Sequence, residues 1–160
     1  MKTNKLTLCA VFGALAIIFG YIESLLPVPI AIPGIKWGIG NIVILSSLYL
    51  VDNKSAFFIM IVKVIATTIL FMSPSAFIYS MAGGVLSLIV MIILKKSKLK
   101  IINVSIGGGI FHNIGQLLMA SLVMKTFSVF YYLPVLILSG AVSAVVNGFL
   151  ADIIIKRLKR

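Results

Sequence analysis

Lys95-Lys96-Ser97-Lys98-Leu99-Lys100 stands between two apolar runs, Ser75 to Leu94 and Ile102 to Met124, and this arrangement decides the fold class. Each run has the length of a membrane-spanning helix, about 20 residues at ~1.5 Å rise per residue. Working outward, charges, prolines and polar clusters delimit four more apolar runs: Leu6 to Leu26, Trp37 to Val51, Ser55 to Met72 and Pro134 to Ile155. The runs at 37 and 55 are short. Pro27, Pro29, Pro33 and Gly34 break the chain between the first two runs and predict an extended outer loop. The expectation is an all-α integral membrane protein with six transmembrane helices, residues 1–160 forming a single membrane unit.

Composition excludes a soluble domain. With 61% hydrophobic and 11% charged residues and a mean hydropathy of +1.22, the chain has too little polar surface to cover a globule. Basic residues give it a net charge of +11, but they flank apolar spans and form no stripe with interleaved aromatics, so nucleic acid is not an expected partner. Cytoplasmic loops are enriched in Lys and Arg. In a six-helix topology one side collects Lys2, Lys5, Lys54, Lys95, Lys96, Lys98, Lys100, Lys156, Arg157, Lys159 and Arg160, and the other only Lys36 and Lys125. Both termini are therefore expected in the cytoplasm, in a multi-pass protein of the cell membrane. Tyr21, Trp37, Tyr79, Tyr131 and Tyr132 fall near the outer helix ends, where an interfacial aromatic belt belongs. The basic-then-apolar amino terminus resembles a signal peptide, but its apolar run is too long for one and reads as a retained first helix. Cys9, the single cysteine, reads as a small apolar residue.

Lys63 is the exception to this charge map. Its Cα lies about 13 Å from either end of its helix, and a central lysine costs ~2.5–3.5 kcal/mol to insert, so it needs a partner or a water-filled cavity. Glu23, Asp52 and Asp152 are the only acids, and Glu23 alone is on the outer half. Lys63 therefore faces either a ligand's anion or carbonyl, or Glu23, or helix carbonyls in a purely structural role.

The fifth span contains Gly107-Gly108-Gly109-Ile110-Phe111-His112-Asn113-Ile114-Gly115-Gln116, the densest polar cluster inside any span. His112 and Gln116 share a helix face with Asn113 beside them, offering both donors and acceptors to a heterocycle. The competing reading is interhelical bonding, with glycines permitting close backbone approach. One histidine and three acids do not supply a convincing metal-ligand set, and neither metal nor cofactor is expected. At the start of the second span, Ile32-Pro33-Gly34-Ile35-Lys36-Trp37-Gly38-Ile39-Gly40-Asn41 offers glycines for backbone approach, helix-terminal amides for an anion, the Lys36 charge and the Trp37 stacking surface. Lys36 and Trp37 also suit interfacial anchoring, whereas Asn41 lies a turn deeper. In the first span, Ala10-x-x-x-Ala14 and Ala16-x-x-x-Gly20 permit tight helix packing. Asp152 and Lys156 are spaced for an interfacial salt bridge.

Six helices in this length, cytoplasmic ends, a small-residue first helix and the segments 33–41 and 107–116 together resemble the Gx transporter family, formerly labelled heptaprenyl diphosphate synthase component I. That family is similar to the substrate-binding S components of energy-coupling factor (ECF) transporters. The resemblance covers essentially the whole chain and implies an S-component-like bundle that binds a vitamin or related micronutrient from outside. It implies a lid at residues 27–36 and a pocket drawing on Lys36, Trp37, Asn41, Lys63, His112, Asn113 and Gln116. It further implies association, through small residues such as Ala10 and Ala14, with a transmembrane T subunit driven by two cytoplasmic ATPases. The chain has no Walker A sequence, so ATP use belongs to partners.

The old enzyme label meets a chemical difficulty. Prenyl diphosphate synthases hold magnesium with paired aspartate-rich motifs, whereas Asp52 and Asp152 are isolated here. A transport subunit without catalysis of its own is expected, with an accessory membrane subunit of polyprenyl diphosphate synthesis and a small structural membrane protein or pore as alternatives. Lysines and an amide-rich face with Trp37 suit a flat anionic heterocycle, a flavin or flavin nucleotide being the first candidate.

Overall fold

Large apolar side chains cover the outside of this protein, and small polar ones gather inside. The computed structural model describes residues 2–26, 37–71 and 74–159, with side chains from residue 5 onward and, in the fourth helix, from residue 76. Its helices are α1 (Lys2–Leu25), α2 (Ile39–Leu50), α3 (Asn53–Phe71), α4 (Pro74–Lys96), α5 (Ile101–Met124) and α6 (Leu133–Leu158), with a 3-10 turn at Ser128–Tyr132 before α6. There is no strand among the described residues. Leu138, Val142, Val146 and Phe149 are exposed at helical spacing on α6, while Ser87, Ser105, Asn113 and Asn147 are buried. Exposed carbon at that spacing costs nothing in hydrocarbon, and the helical backbone satisfies its own polar groups, so this is a multi-pass membrane protein embedded in a lipid bilayer.

The expected spans match these helices closely, with one qualification of physical interest. Among the described residues, five helices are long and apolar enough to cross a membrane. α2, with 12 residues, extends only about 18 Å against a hydrocarbon thickness of ~30 Å. It is instead the most enclosed element: Leu45 and Leu48 are 1% and 0% exposed, and Gly40 and the run Ile42–Leu48 are all buried.

Helix ends are fixed by specific groups. Asp52 caps α3, its Oδ1 accepting the Ser55 N–H at 2.7 Å, and its other oxygen pairs with Lys5 of α1. Lys95 of α4 donates to the Leu48 carbonyl at 2.5 Å and lies over the Tyr49 ring, closing the otherwise open carboxyl end of α2. Pro134 lies in the first turn of α6, where its missing N–H costs no helix bond.

Two groups of three helices make the bundle. α1 packs on α2 and α3, and α5 packs between α4 and α6; α2 with α6 and α3 with α4 form the seams. Glycine makes the second group tight. A Cβ on Gly115 would lie 2.9 Å from the Ala82 carbonyl oxygen, and one on Gly109 would lie 2.8 Å from that of Gly140. Chain reversals place Tyr21, Trp37, Tyr79, Tyr131 and Tyr132 at one end, and Lys5, Lys54, Lys95, Lys96, Lys98, Lys100, Lys156, Arg157 and Lys159 at the other. The ion pair of Asp152 with Lys156 (2.6 Å) is present at the basic end, as their spacing predicts.

Candidate functional site

At the aromatic end, the chain enters α2 through Gly38, whose φ of 68° is left-handed and open to glycine at little cost. Three neighbours hold this entry. The Gly38 N–H donates to Glu23 Oε1 on α1 at 2.6 Å. Asn147 Nδ2 on α6 donates to the carbonyls of Trp37 and Gly38 at 3.0 and 3.1 Å. The anion at the start of α2 is thus the protein's own carboxylate, where the sequence had suggested a ligand's. Glu23 comes from one helix group and Asn147 from the other, so the entry also ties the two groups together.

One turn deeper, Lys63 of α3 reaches Asn41 of α2, its Nζ donating to Oδ1 at 3.0 Å. Gly40 makes this reach feasible. A Cβ there would sit 2.5 Å from Lys63 Cε and 2.7 Å from Nζ, so the lysine stem occupies the volume that any other residue at position 40 would fill. Thr67, a turn along α3, donates to the Lys63 carbonyl at 2.8 Å. Lys63 and Glu23 line one cavity without forming an ion pair within 4.0 Å; the ion pairs among the described residues are Lys5 with Asp52 and Lys156 with Asp152. Lys63 therefore meets a neutral amide and an open volume.

That volume is about 280 Å³ and receives side chains from all six helices. On α3 its lining runs from Phe71 to Met60, and on α4 from Ser80 to Met91, about 16 Å along the bundle axis in each case. The cavity is a slot between the two helix groups. Glu23, Trp37, Asn41, Lys63 and Asn147 mark its aromatic end; Ser87, Met91 and Ser105 mark its depth. Lys95, one turn beyond Met91 on α4, donates to the Leu48 carbonyl and so ties α4 to α2 below the slot.

Of the residues singled out in the sequence, Trp37, Asn41, Lys63, His112 and Asn113 line the slot, and Trp37 is 42% exposed. Gln116 does not line it. One turn beyond His112, Gln116 lies against Gly83, where a Cβ would come 2.8 Å from its Cγ, so α5 turns this residue toward α4. Asn113 divides its role: its Nδ2 donates to the Leu136 carbonyl of α6 at 2.5 Å, which is the interhelical bonding that competed with the pocket reading. The glycine triplet is packing surface too, Gly107 meeting Leu94, Gly108 meeting Met91 and Gly109 meeting Gly140. Lys36 and the segment 27–36 expected as a lid lie outside the described residues. Ala10 and Ala14 are exposed on α1, whereas Ala16 is fully buried and Gly20 faces Thr67. The small-residue pattern therefore splits into an outward pair and an inward pair. Asn147 and the lining serines 80, 87, 105 and 143 were not singled out from sequence; for Asn147 the signal was available, since it is an amide near the middle of its span.

Among the described residues, five membrane-length helices and a short buried sixth around an internal cavity of mixed polar and apolar lining define a helical membrane protein. The chain belongs to the family described as heptaprenyl diphosphate synthase component I, whose model matches residues 12–154. No curated protein and no solved structure matched the chain.

Proposed function

We propose that this protein is the substrate-binding S component of an ECF-type importer in the cell membrane, taking a vitamin or related micronutrient from outside. The observation that carries the reading is Lys63, held in mid-membrane by a neutral amide and facing a slot of about 280 Å³. A lysine in that position is costly, and a polar partner arriving with a ligand offsets the cost. Basic residues at the opposite end orient the slot's aromatic mouth outward, with both termini cytoplasmic. A T subunit and two ATPases supply the driving force, and exposed Ala10 and Ala14 on α1 offer close approach to the T subunit. The substrate contacts are Trp37, Asn41, Lys63, His112 and Asn113, joined by Asn147 and Glu23; Lys36, outside the described residues, is the further contact expected from sequence. Flavin or flavin nucleotide remains the first candidate, its flat ring suited to a narrow slot and to Trp37.

The test uses the protein in detergent. Native mass spectrometry identifies any retained small molecule, and quenching of Trp37, the single tryptophan, follows titration with riboflavin and flavin mononucleotide. Lys63→Ala is expected to weaken binding at least ten-fold while the protein still inserts in the membrane; unchanged affinity refutes the assignment of Lys63.

The family description favours a second reading, a membrane subunit accessory to heptaprenyl or other polyprenyl diphosphate synthesis. Asp52 and Asp152 are each engaged by a lysine at the basic end, and among the described residues no three His, Cys, Asp or Glu side chains cluster. This reading therefore assigns transfer chemistry to a soluble partner. Copurification with a prenyltransferase supports it, and copurification with T and ATPase subunits supports transport.

A further inference from the structure

A second hollow lies on the lipid-facing surface between α3 and α4, on other faces of these helices than the central slot and close to the basic end. It measures about 440 Å³. Its walls are carbon: Phe57 and Phe58 from α3, and Leu88, Ile89 and Ile92 from α4. Phe58 and Ile89 are 65% and 48% exposed, and the two phenylalanine rings meet edge to face with centroids 6.1 Å apart. On α4 the lining runs from Val85 to Ile92, so the groove penetrates about 10 Å along the helix from the basic end.

The groove surface is almost wholly carbon, and Asn53 and Lys54 border it at the end nearest the basic side of the bundle. Lys54 lies three and four residues before Phe57 and Phe58, and Lys96 lies four residues after Ile92, so each lysine continues the groove face of its own helix. Both are exposed. The nearest acid in sequence, Asp52, is already taken by Lys5 and the Ser55 amide. An apolar slot leading inward from two ammonium groups at the membrane surface is complementary to a molecule with an acyl chain and an anionic head.

We propose that this groove is a binding site for one anionic glycerophospholipid, its phosphate on Lys54 with Lys96 beside it and one acyl chain along Phe57, Phe58, Ile89 and Ile92. The site is independent of the central slot and of its cargo. It makes the α3–α4 seam, one of the two that join the helix groups, responsive to the charge of the surrounding lipid.

Native mass spectrometry of the delipidated protein with equal amounts of phosphatidylglycerol and phosphatidylcholine, matched in acyl chains, tests this. The expected result is a phosphatidylglycerol adduct favoured about five-fold or more, the size of one lysine's attraction to an anionic lipid. Lys54→Gln brings that ratio toward one, and Ile89→Trp, which fills the groove from an exposed position, reduces both adducts. Lys156→Gln, on α6 at the same end, leaves the ratio unchanged. Unfolding midpoints close to the unsubstituted protein's confirm that each variant is folded. Equal adducts in the unsubstituted protein overturn the site, as do equal effects of Lys54→Gln and Lys156→Gln, which mean diffuse attraction alone. A dimer that Ile89→Trp abolishes also overturns it, by giving the groove to a second copy of the chain.

Discussion

Gly40→Ala is the most informative single substitution, because it adds one methyl group at the point where Lys63 crosses α2. The new carbon would lie 2.5 Å from Lys63 Cε, 2.7 Å from Nζ and 3.4 Å from Cδ, so the lysine must swing away from Asn41. Loss of that hydrogen bond costs about 1 kcal/mol, and forcing the flexible end of the lysine aside into the open slot adds up to about 1 kcal/mol. Alanine returns about 1 kcal/mol through its helix propensity, leaving a net loss of about 0–1 kcal/mol. In a Lys63→Ala background the obstacle is absent, and the same substitution is expected to stabilise by about 1 kcal/mol. The two sites thus couple by about 1–2 kcal/mol. Unfolding in mixed micelles with increasing dodecyl sulfate, followed by Trp37 fluorescence and helical circular dichroism, measures all four corners of the cycle. Independent sites add within about 0.5 kcal/mol. Additivity at that level refutes the claim that Gly40 exists to admit the Lys63 side chain.

Two further outcomes follow from the packing and the surface charges. Gly115→Ala places a Cβ against the backbone of α4, 2.9 Å from both the Ala82 carbonyl oxygen and Gly83 Cα; no side-chain rotation relieves this, and a loss of about 2 kcal/mol is expected in the same unfolding assay. Asp52 is held well below the usual carboxylate range, first by its hydrogen bond from Lys5 and then by the Ser55 amide. A carboxylate with a depressed folded value stabilises fully above the unfolded value of about 3.9 and less as pH falls below it. The stability difference between the unsubstituted protein and Asp52→Asn is therefore expected to be constant from pH 7 to 5 and to shrink below about pH 4; a difference that grows with acidity refutes the pairing.

Much of the bundle is legible in the chain because membrane helices are local objects. Length, hydropathy and the alternation of basic loops depend on neighbours in sequence, and the observed helices depart from the expected spans by a few residues. The slot is only partly legible. Lys63 and Asn41 are conspicuous because each is polar within an apolar run, and the structure joins them in one hydrogen bond. His112, Asn113 and Gln116 are equally conspicuous, yet their roles divide: His112 lines the slot while packing on Gly83 of α4, Asn113 lines it and ties α5 to α6, and Gln116 packs on Gly83 without lining the slot. Position on a helix face fixes the angle of a side chain, but not which neighbouring helix stands at that angle.

The sequence by itself determined that this is a polytopic helical membrane protein, that its basic residues collect at one end, and that a lysine lies in mid-span. Hydrophobic transfer and the cost of buried charge act residue by residue, so composition and spacing suffice for these conclusions. Only the tertiary structure decided that α2 is the enclosed helix, that Glu23 rather than a ligand meets the Gly38 amide, that Asn147 belongs to the site, and that Gly40 is the opening through which Lys63 passes. Each of these depends on which backbones approach within a few ångströms. That is settled by glycine contacts and seams between helices far apart in the chain, which no local pattern records.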